Sequence, residues 1–308
     1  MIAAIIVSYS PDLESLSALL KNLTPQVDCI YVVDNSDKYN NSAWHIVENQ
    51  PENFEKIRFL RLGENLGIAV ALNVGIEIAK MDGANWVLLS DQDSLPAPDM
   101  VENLLAVSED LFSKNISVGA VGPTFTDLHT GLTYPFQVQR LRKLFYSQQR
   151  ASDKEPIIEA LTLITSGCLI PMHVLCDVGG MREDFFIDHV DIEWCHRARA
   201  KGYRIFGAFH AQMFQRMGDD RLKVWYFRWR YESAYSALRM YYRLRNFTIL
   251  WKLNYVGWRW KVRASWYWLG FCYAQVVFGR DRANTLKMSI LGVWDGLRGK
   301  MGKYLGNS

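Results

Sequence analysis

WVLLSDQDSLPAP, residues 86–98, carries four apolar residues into Ser90 and then two carboxylates, Asp91 and Asp93, before Pro96 and Pro98 close the run. A short apolar run bounded by turn residues reads as a buried strand, so the acids are delivered to a strand exit. Carboxylates on either side of a single residue project toward one space and repel unless a cation lies between or beside them. Mg²⁺ or Mn²⁺ resolves the conflict, because these hard ions take one or two carboxylates and fill their remaining positions with water and phosphate.

Outward from this stretch the chain alternates strand and helix patterns. Residues 3–9 (AAIIVSY), 29–37, 57–62 and 118–125 read as further strands. Ser10 and Pro11 open a helix with Asp12 and Glu14 in its first turn, IAVALNVGIEIAK (68–80) makes a second helix, and PDMVENLLAVSEDLF a third. Such alternation predicts an α/β fold with a mostly parallel sheet covered on both faces. Ligands of open α/β sheets bind beyond the carboxyl ends of the strands. Polar residues gather there: Ser8 and Tyr9 after the first strand, Asp34 and Asn35 after the second, Asn65 and Gly67 after the third, Asp91 and Asp93 after the fourth.

The second chemical stretch is residues 165–205. Ser166-Gly167 forms a turn that admits a ligand to the backbone, Gly179-Gly180 permits positive φ or close packing, and Asp188, Asp191 and Glu193 precede a basic helix. Asp191 serves there as a helix cap or as a general base toward a hydroxyl held in the cleft.

Strand-end Asp34, NLGIAVALNVGIEIA, SDQDS, TSGCLI and DIEWCHRARAKGY together resemble the family 2 glycosyltransferases of GT-A fold, and SDQDS, RMYYRLRN and GVWDGLRGKMGK resemble their bacterial rhamnosyltransferase branch. The resemblance covers nearly the whole chain. It implies inverting transfer of a sugar, L-rhamnose from dTDP-β-L-rhamnose, to a hydroxyl. By the same resemblance Asp34 binds the pyrimidine, with Ser8 and Tyr9 near it, Asn65, Gly67 and Asn73 support the nucleotide-sugar donor, and Asp91 faces the ribose. Asp93 ligates Mg²⁺ or Mn²⁺ on the diphosphate, Ser166 and Gly167 line the junction of donor and acceptor, Asp191 is the base, and Arg245, with Arg239 and Asn246, lies near a diphosphate. Two positions depart from the family pattern. Val190 stands where a glutamate often precedes the base, and Gln215 in FQRMGDD stands where a metal-binding histidine is usual. Either His210, five residues earlier, substitutes as a metal ligand, or the metal relies on Asp93 and phosphates alone.

Composition divides the chain differently. Residues 220–308 hold seventeen Lys and Arg against four Asp and Glu, a balance of +13, so the overall +3 leaves −10 on residues 1–219. Eight of the eleven tryptophans lie in the basic part. The expected organisation is a catalytic domain over 1–219 and a helical, membrane-interface and acceptor region over 220–308, with Trp, Tyr and Arg of residues 225–280 at helical spacing. Its longest uncharged stretch, residues 264–279, is short of the ~20 apolar residues of a spanning helix. Indoles among cations suit an anionic membrane surface; an aromatic core or a homo-oligomer contact is the other reading. No nucleic-acid-binding motif accompanies the charge. The five cysteines show no CxxC pair, as expected of reduced thiols. The expectation is a cytoplasmic protein, peripheral on the inner face of the plasma membrane, whose acceptor is a polyprenyl-diphosphate-linked glycan of a surface polysaccharide (O-antigen, capsule or wall rhamnan). A phosphotransferase of the haloacid dehalogenase type also carries D-x-D after an apolar strand, though on its first strand, and a non-catalytic membrane-associated binding protein is the third class.

Overall fold

The structure, a computed structural model, describes residues 1–37, 55–128, 131–140, 144–215 and 221–306. In chain order these form β1 (Ile2–Ser8), α1 (Leu13–Leu23), β2 (Cys29–Asp34), β3 (Ile57–Arg61), α2 (Ile68–Met81), β4 (Trp86–Asp91), β5 (Ser94–Pro96), α3 (Met100–Ser113) and β6 (Val118–Asp127). The short strands β7 (Phe136–Val138), β8 (Ser147–Gln149) and β9 (Ile157–Ala160) follow, then β10 (Cys168–Pro171), α4 (Met172–Val178), α5 (Val190–Ala200) and β11 (Arg204–Gln215). The chain continues through β12 (Arg221–Trp225), β13 (Trp229–Ser233), α6 (Ala237–Lys252), α7 (Trp258–Phe278) and α8 (Arg282–Arg298).

The nine-stranded sheet has the order β3-β2-β1-β4-β10-β6-β11-β5, with β9 also on β11. β3, β2, β1 and β4 are parallel neighbours, and β6 and β11 are parallel to each other. β10 runs antiparallel between β4 and β6, with Cys168 opposite Leu89. That reversal positions the site, because the start of β10 lies beside the end of β4, and Ser166-Gly167 therefore meets Asp91.

Successive strand side chains point to opposite faces, and the two hydrophobic clusters follow that alternation. Ile5, Val33 and Leu89 pack with Leu72 and Ile76 of α2, Trp194 of α5, Phe247 of α6 and Trp268 of α7. Ala4, Ile6, Val32 and Leu88 pack on the other face with Leu16 and Leu20 of α1 and Leu104 and Leu111 of α3. Helices α6 and α7, from the basic end of the chain, thus complete the core of the first face.

Several local readings change. Asp12 is the cap of α1 and not a first-turn residue: its carboxylate accepts from Ser15 N at 3.0 Å and Ser15 Oγ at 2.6 Å. The strand expected over 29–37 stops at Asp34, because that side chain accepts from Ser36 N and Oγ, at 3.1 and 2.6 Å, and folds the backbone into a turn. Residues 221–233, expected to be helical, pair as an antiparallel hairpin. Leu222 and Val224 point inward while Lys223 and Trp225 point out, a period of two that outweighs the helical reading. All five cysteines are free thiols.

Candidate active site

The strand ends converge as the alternation requires. Ser166 Oγ donates to Asp91 Oδ2 at 2.6 Å, accepts from Asp91 N at 3.2 Å and lies 2.9 Å from Ser94 Oγ. Ser94 pairs with Gln215 across β5 and β11, and Gln215 Nε2 donates to Asp93 Oδ1 at 2.8 Å. The two carboxylates of the opening stretch are therefore divided: Asp91 turns inward to a buried serine, and Asp93 stays at the exposed mouth. Burial raises the Asp91 pKa, against Ser166, Arg239 and Gln215, which lower it. Gly167 adopts φ +77, and a Cβ there would fall 2.5 Å from Pro123 Cγ, so only glycine fits this turn.

Asp191 lies in the first turn of α5, its Oδ1 accepting from Ile192 N at 2.8 Å, and it lines a narrow cleft with Leu163, Thr165 and Cys168. Burial, reinforced by the charges of Asp91 and Asp188, pushes its carboxyl up to about 6. A carboxylate so placed titrates near working pH, which is what a general base requires.

The loop entering α5 is strained, with positive φ at Phe186, Asp188 and His189, and strained backbone persists only where its surroundings hold it. Asn246 Nδ2 donates to the carbonyls of Phe185, Ile187 and Asp188 at 3.0, 2.8 and 2.9 Å. Arg245, 1% exposed, donates to the carbonyls of Phe185 and Gly302. Ile68 N donates to Phe186 O at 2.7 Å, an approach open because Gly67 lacks a Cβ, which would lie 2.6 Å from that oxygen. Arg239 Nε and Arg243 Nε face the Asp188 carboxylate at 3.2 and 3.4 Å. Burial lowers the Arg239 pKa, but Asp188, with a smaller contribution from Asp91, more than offsets this and holds it above its ordinary value. His189, its ring 5.1 Å from that of Trp268, is pushed down to about 3 by burial and is neutral.

On the β2 side, Tyr9 is clamped by Gln92, whose Oε1 accepts from Tyr9 N at 2.7 Å while its Nε2 donates to Tyr9 O at 3.2 Å. Tyr9 OH donates to Asp37 at 3.1 Å. Asn35 and Asn65 bond each other at 3.2 Å and hold Leu66 N and Gly67 N. Ser8 Oγ is buried at the end of β1 with no partner among the described residues, and Asp34 lies opposite it in β2.

The structure thus brings Asp91, Asp93, Ser166, Gly167 and Asp191 to one mouth, and Ser8, Tyr9, Asp34, Asn65 and Gly67 to the adjoining strand ends. Three expected residues are used differently. Asn73 is spent on the 181–183 segment, donating to Met181 O and Glu183 Oε1, each at 2.9 Å, and accepting from Met181 N at 2.7 Å. Arg245 braces the loop described above. His210 sits in the irregular stretch of β11 between Ala208 and Gln212, its carbonyl bonded to Asn103 of α3, while Gln215 extends its side chain to Asp93. Gly218 and Asp219 of FQRMGDD lie outside the described residues. Arg243 and Gln92 are contacts of the site that the sequence reading misses, whereas Gln215 stands at the position where the family's metal-binding histidine is usual. The i, i+4 spacing of Arg239 and Arg243 on one helix face was the signal available for Arg243.

Among the described residues no group of three or more His, Cys, Asp and Glu converges as a metal cage. An exposed carboxylate such as Asp93 suits a hard cation that takes its other ligands from phosphate and water. A hollow of about 310 Å³ opens beside Phe112, Ile116 and His173 at the start of β6, at the opposite end of the strands from the carboxylates.

Three likenesses match this architecture. The profile of glycosyl transferase family 2 fits residues 7–160, half of the chain. The dTDP-rhamnosyl transferase RfbF of Shigella flexneri is 29% identical over 301 residues, covering 98% of this chain and 97% of that protein. The crystal structure of GalNAc-T7 with UDP, GalNAc and Mn²⁺ superposes at a TM-score of 0.55 with 12% identity, over 70% of this chain. The chain spans 43% of the length of that structure, so this last likeness concerns the GT-A fold alone. With strand-end carboxylates at one mouth and a family profile over half its length, the chain belongs to glycosyl transferase family 2, and it is a glycosyltransferase.

Proposed function

We propose that the protein transfers L-rhamnose from dTDP-β-L-rhamnose, with inversion, to a hydroxyl of a polyprenyl-diphosphate-linked glycan in the synthesis of a bacterial surface polysaccharide. The observation that carries this reading is Asp191, half-buried at the cleft, with its carboxyl pushed up to about 6 by desolvation and within electrostatic reach of Asp91. Full-length likeness to a dTDP-rhamnosyl transferase supports the donor. Asp34, Ser8, Tyr9, Asn65 and Gly67 receive the nucleotide. Ser166 and Gly167 shape the junction at which the sugar meets the acceptor. Asp191 takes the acceptor hydroxyl proton as its oxygen bonds to the anomeric carbon, and the bond from that carbon to the diphosphate breaks with both electrons leaving on dTDP. Asp93 would hold a divalent cation, Mg²⁺ or Mn²⁺, which would supply positive charge against the departing diphosphate. Arg239, held above the mouth by Asp188, adds a fixed positive charge.

The protein works as a peripheral enzyme at the cytoplasmic face of the membrane. The +13 balance of residues 220–308 supports this, and no described helix is long and apolar enough to cross a bilayer. The test is a panel of nucleotide sugars with Mg²⁺ or Mn²⁺, reading dTDP or UDP release and the anomeric configuration of the product. Release confined to UDP-sugars refutes the donor, and a β-L-rhamnoside product refutes inversion.

A further inference from the structure

The β12–β13 hairpin has two unlike faces. Its inner face, Leu222 and Val224, packs on Ala274 of α7. Its outer face pairs Trp225 with Trp229 and Lys223 with Tyr231 across the strands, and these aromatics are 44, 59 and 65% exposed. At the tip, Tyr226 N donates to Arg228 O at 3.0 Å, and Phe227, at φ +59, stands 93% exposed. A phenylalanine in the left-handed region with its ring in water costs the fold both strain and solvation, so something other than packing within this chain accounts for it.

What surrounds the ring identifies its partner. Lys223 lies over the Trp229 ring at 5.1 Å, Arg228 and Arg230 flank the tip, and the outer face and tip carry no acid. Cations and indoles around one projecting apolar ring match the boundary of an anionic bilayer, where rings enter the headgroup region and cations meet phosphate. The hairpin also follows β11, whose last residue, Gln215, holds Asp93, so the finger and the catalytic mouth are neighbours in the chain. We infer that the tip formed by Trp225, Phe227 and Trp229 inserts into an anionic lipid surface and seats the mouth of the active site against it. The inference deepens the proposed function by assigning its membrane contact to one hairpin.

The test is co-sedimentation with vesicles of phosphatidylglycerol and phosphatidylethanolamine, with no sugar present, so its failure is distinct from failure of the rhamnosyl reading. Wild-type protein binds these vesicles in low salt, releases as salt rises, and has its tryptophan fluorescence quenched by brominated lipid. Phe227→Ser with Trp229→Ser weakens binding about tenfold or more, while the melting temperature and the stabilisation by dTDP stay unchanged. Arg228→Gln with Arg230→Gln weakens binding to anionic but not to zwitterionic vesicles. Wild-type that ignores the vesicles, or a serine variant that binds them within about twofold of wild-type, overturns the inference. A wild-type dimer dissolved by the serine substitutions without vesicle binding also overturns it and gives the face to a second copy.

Discussion

Asp191→Asn separates a catalytic base from a helix cap by moving activity and stability in opposite directions. Folding raises the carboxyl from its ordinary 3.8 to about 6, chiefly through burial. A group whose folded pKa is raised is penalised when ionised, so this destabilisation is absent below about pH 4, grows between pH 4 and 6 and is complete above pH 6. At ~1.4 kcal/mol per pH unit it is worth on the order of 2–3 kcal/mol at pH 8. Asparagine keeps the size and an accepting oxygen for Ile192 N and removes the charge. The variant should therefore melt about 3–5 °C above wild-type at pH 8 and level with it near pH 4, while turnover falls ~10²–10⁴-fold. Calorimetry at both pH values and initial rates of dTDP release on one preparation read both effects. In wild-type, kcat/KM should rise with pH and level off above about 6 as the base ionises. A variant that keeps near-normal turnover, or one whose stability difference does not vary with pH, refutes the reasoning.

Asp93→Ala should abolish metal-stimulated transfer while leaving the melting temperature within about 1 °C, because the side chain is exposed; a Mn²⁺ titration of activity checks it. Asn246→Leu removes the donor of the Ile187 and Asp188 carbonyls, while Arg245 still serves that of Phe185, and should cost about 2–4 kcal/mol, read by urea denaturation, with limited proteolysis showing whether the loop opens first. Gly167→Ala forces a Cβ to 2.5 Å from Pro123 at φ +77 and should destabilise by about 2 kcal/mol and weaken donor binding, measured by calorimetric titration of dTDP.

The sheet was legible because its strands are short β-branched runs and its ligating residues follow them, so β1 to β4, the helices between and the mouth at Asp91 could be read from spacing. The reversal of β10 could not, since nothing in CLIP states which neighbour it joins, yet that reversal is what brings Ser166 to Asp91. Long-range roles were lost for the same reason. Asn73 and Arg245 have the chemistry of ligand contacts, and only the fold reveals that backbone atoms remote in sequence have taken up their hydrogen bonds. In the basic end, the alternation of Leu222, Val224 and their outward neighbours was masked by aromatic residues that fit either period.

The cradle that Arg245 and Asn246 make for residues 184–188 has a consequence for exchanging parts between relatives. Acceptor preference invites recombination, with one member's basic end grafted at residue 219 onto another's strand-rich half. Such a graft would pair a foreign α6 with a native loop, and the side chains that set the pose of Asp191 would come from the wrong parent. Crossovers that retain activity should carry residues 184–188 and α6 together as one inherited block, even though about fifty residues of sequence lie between them.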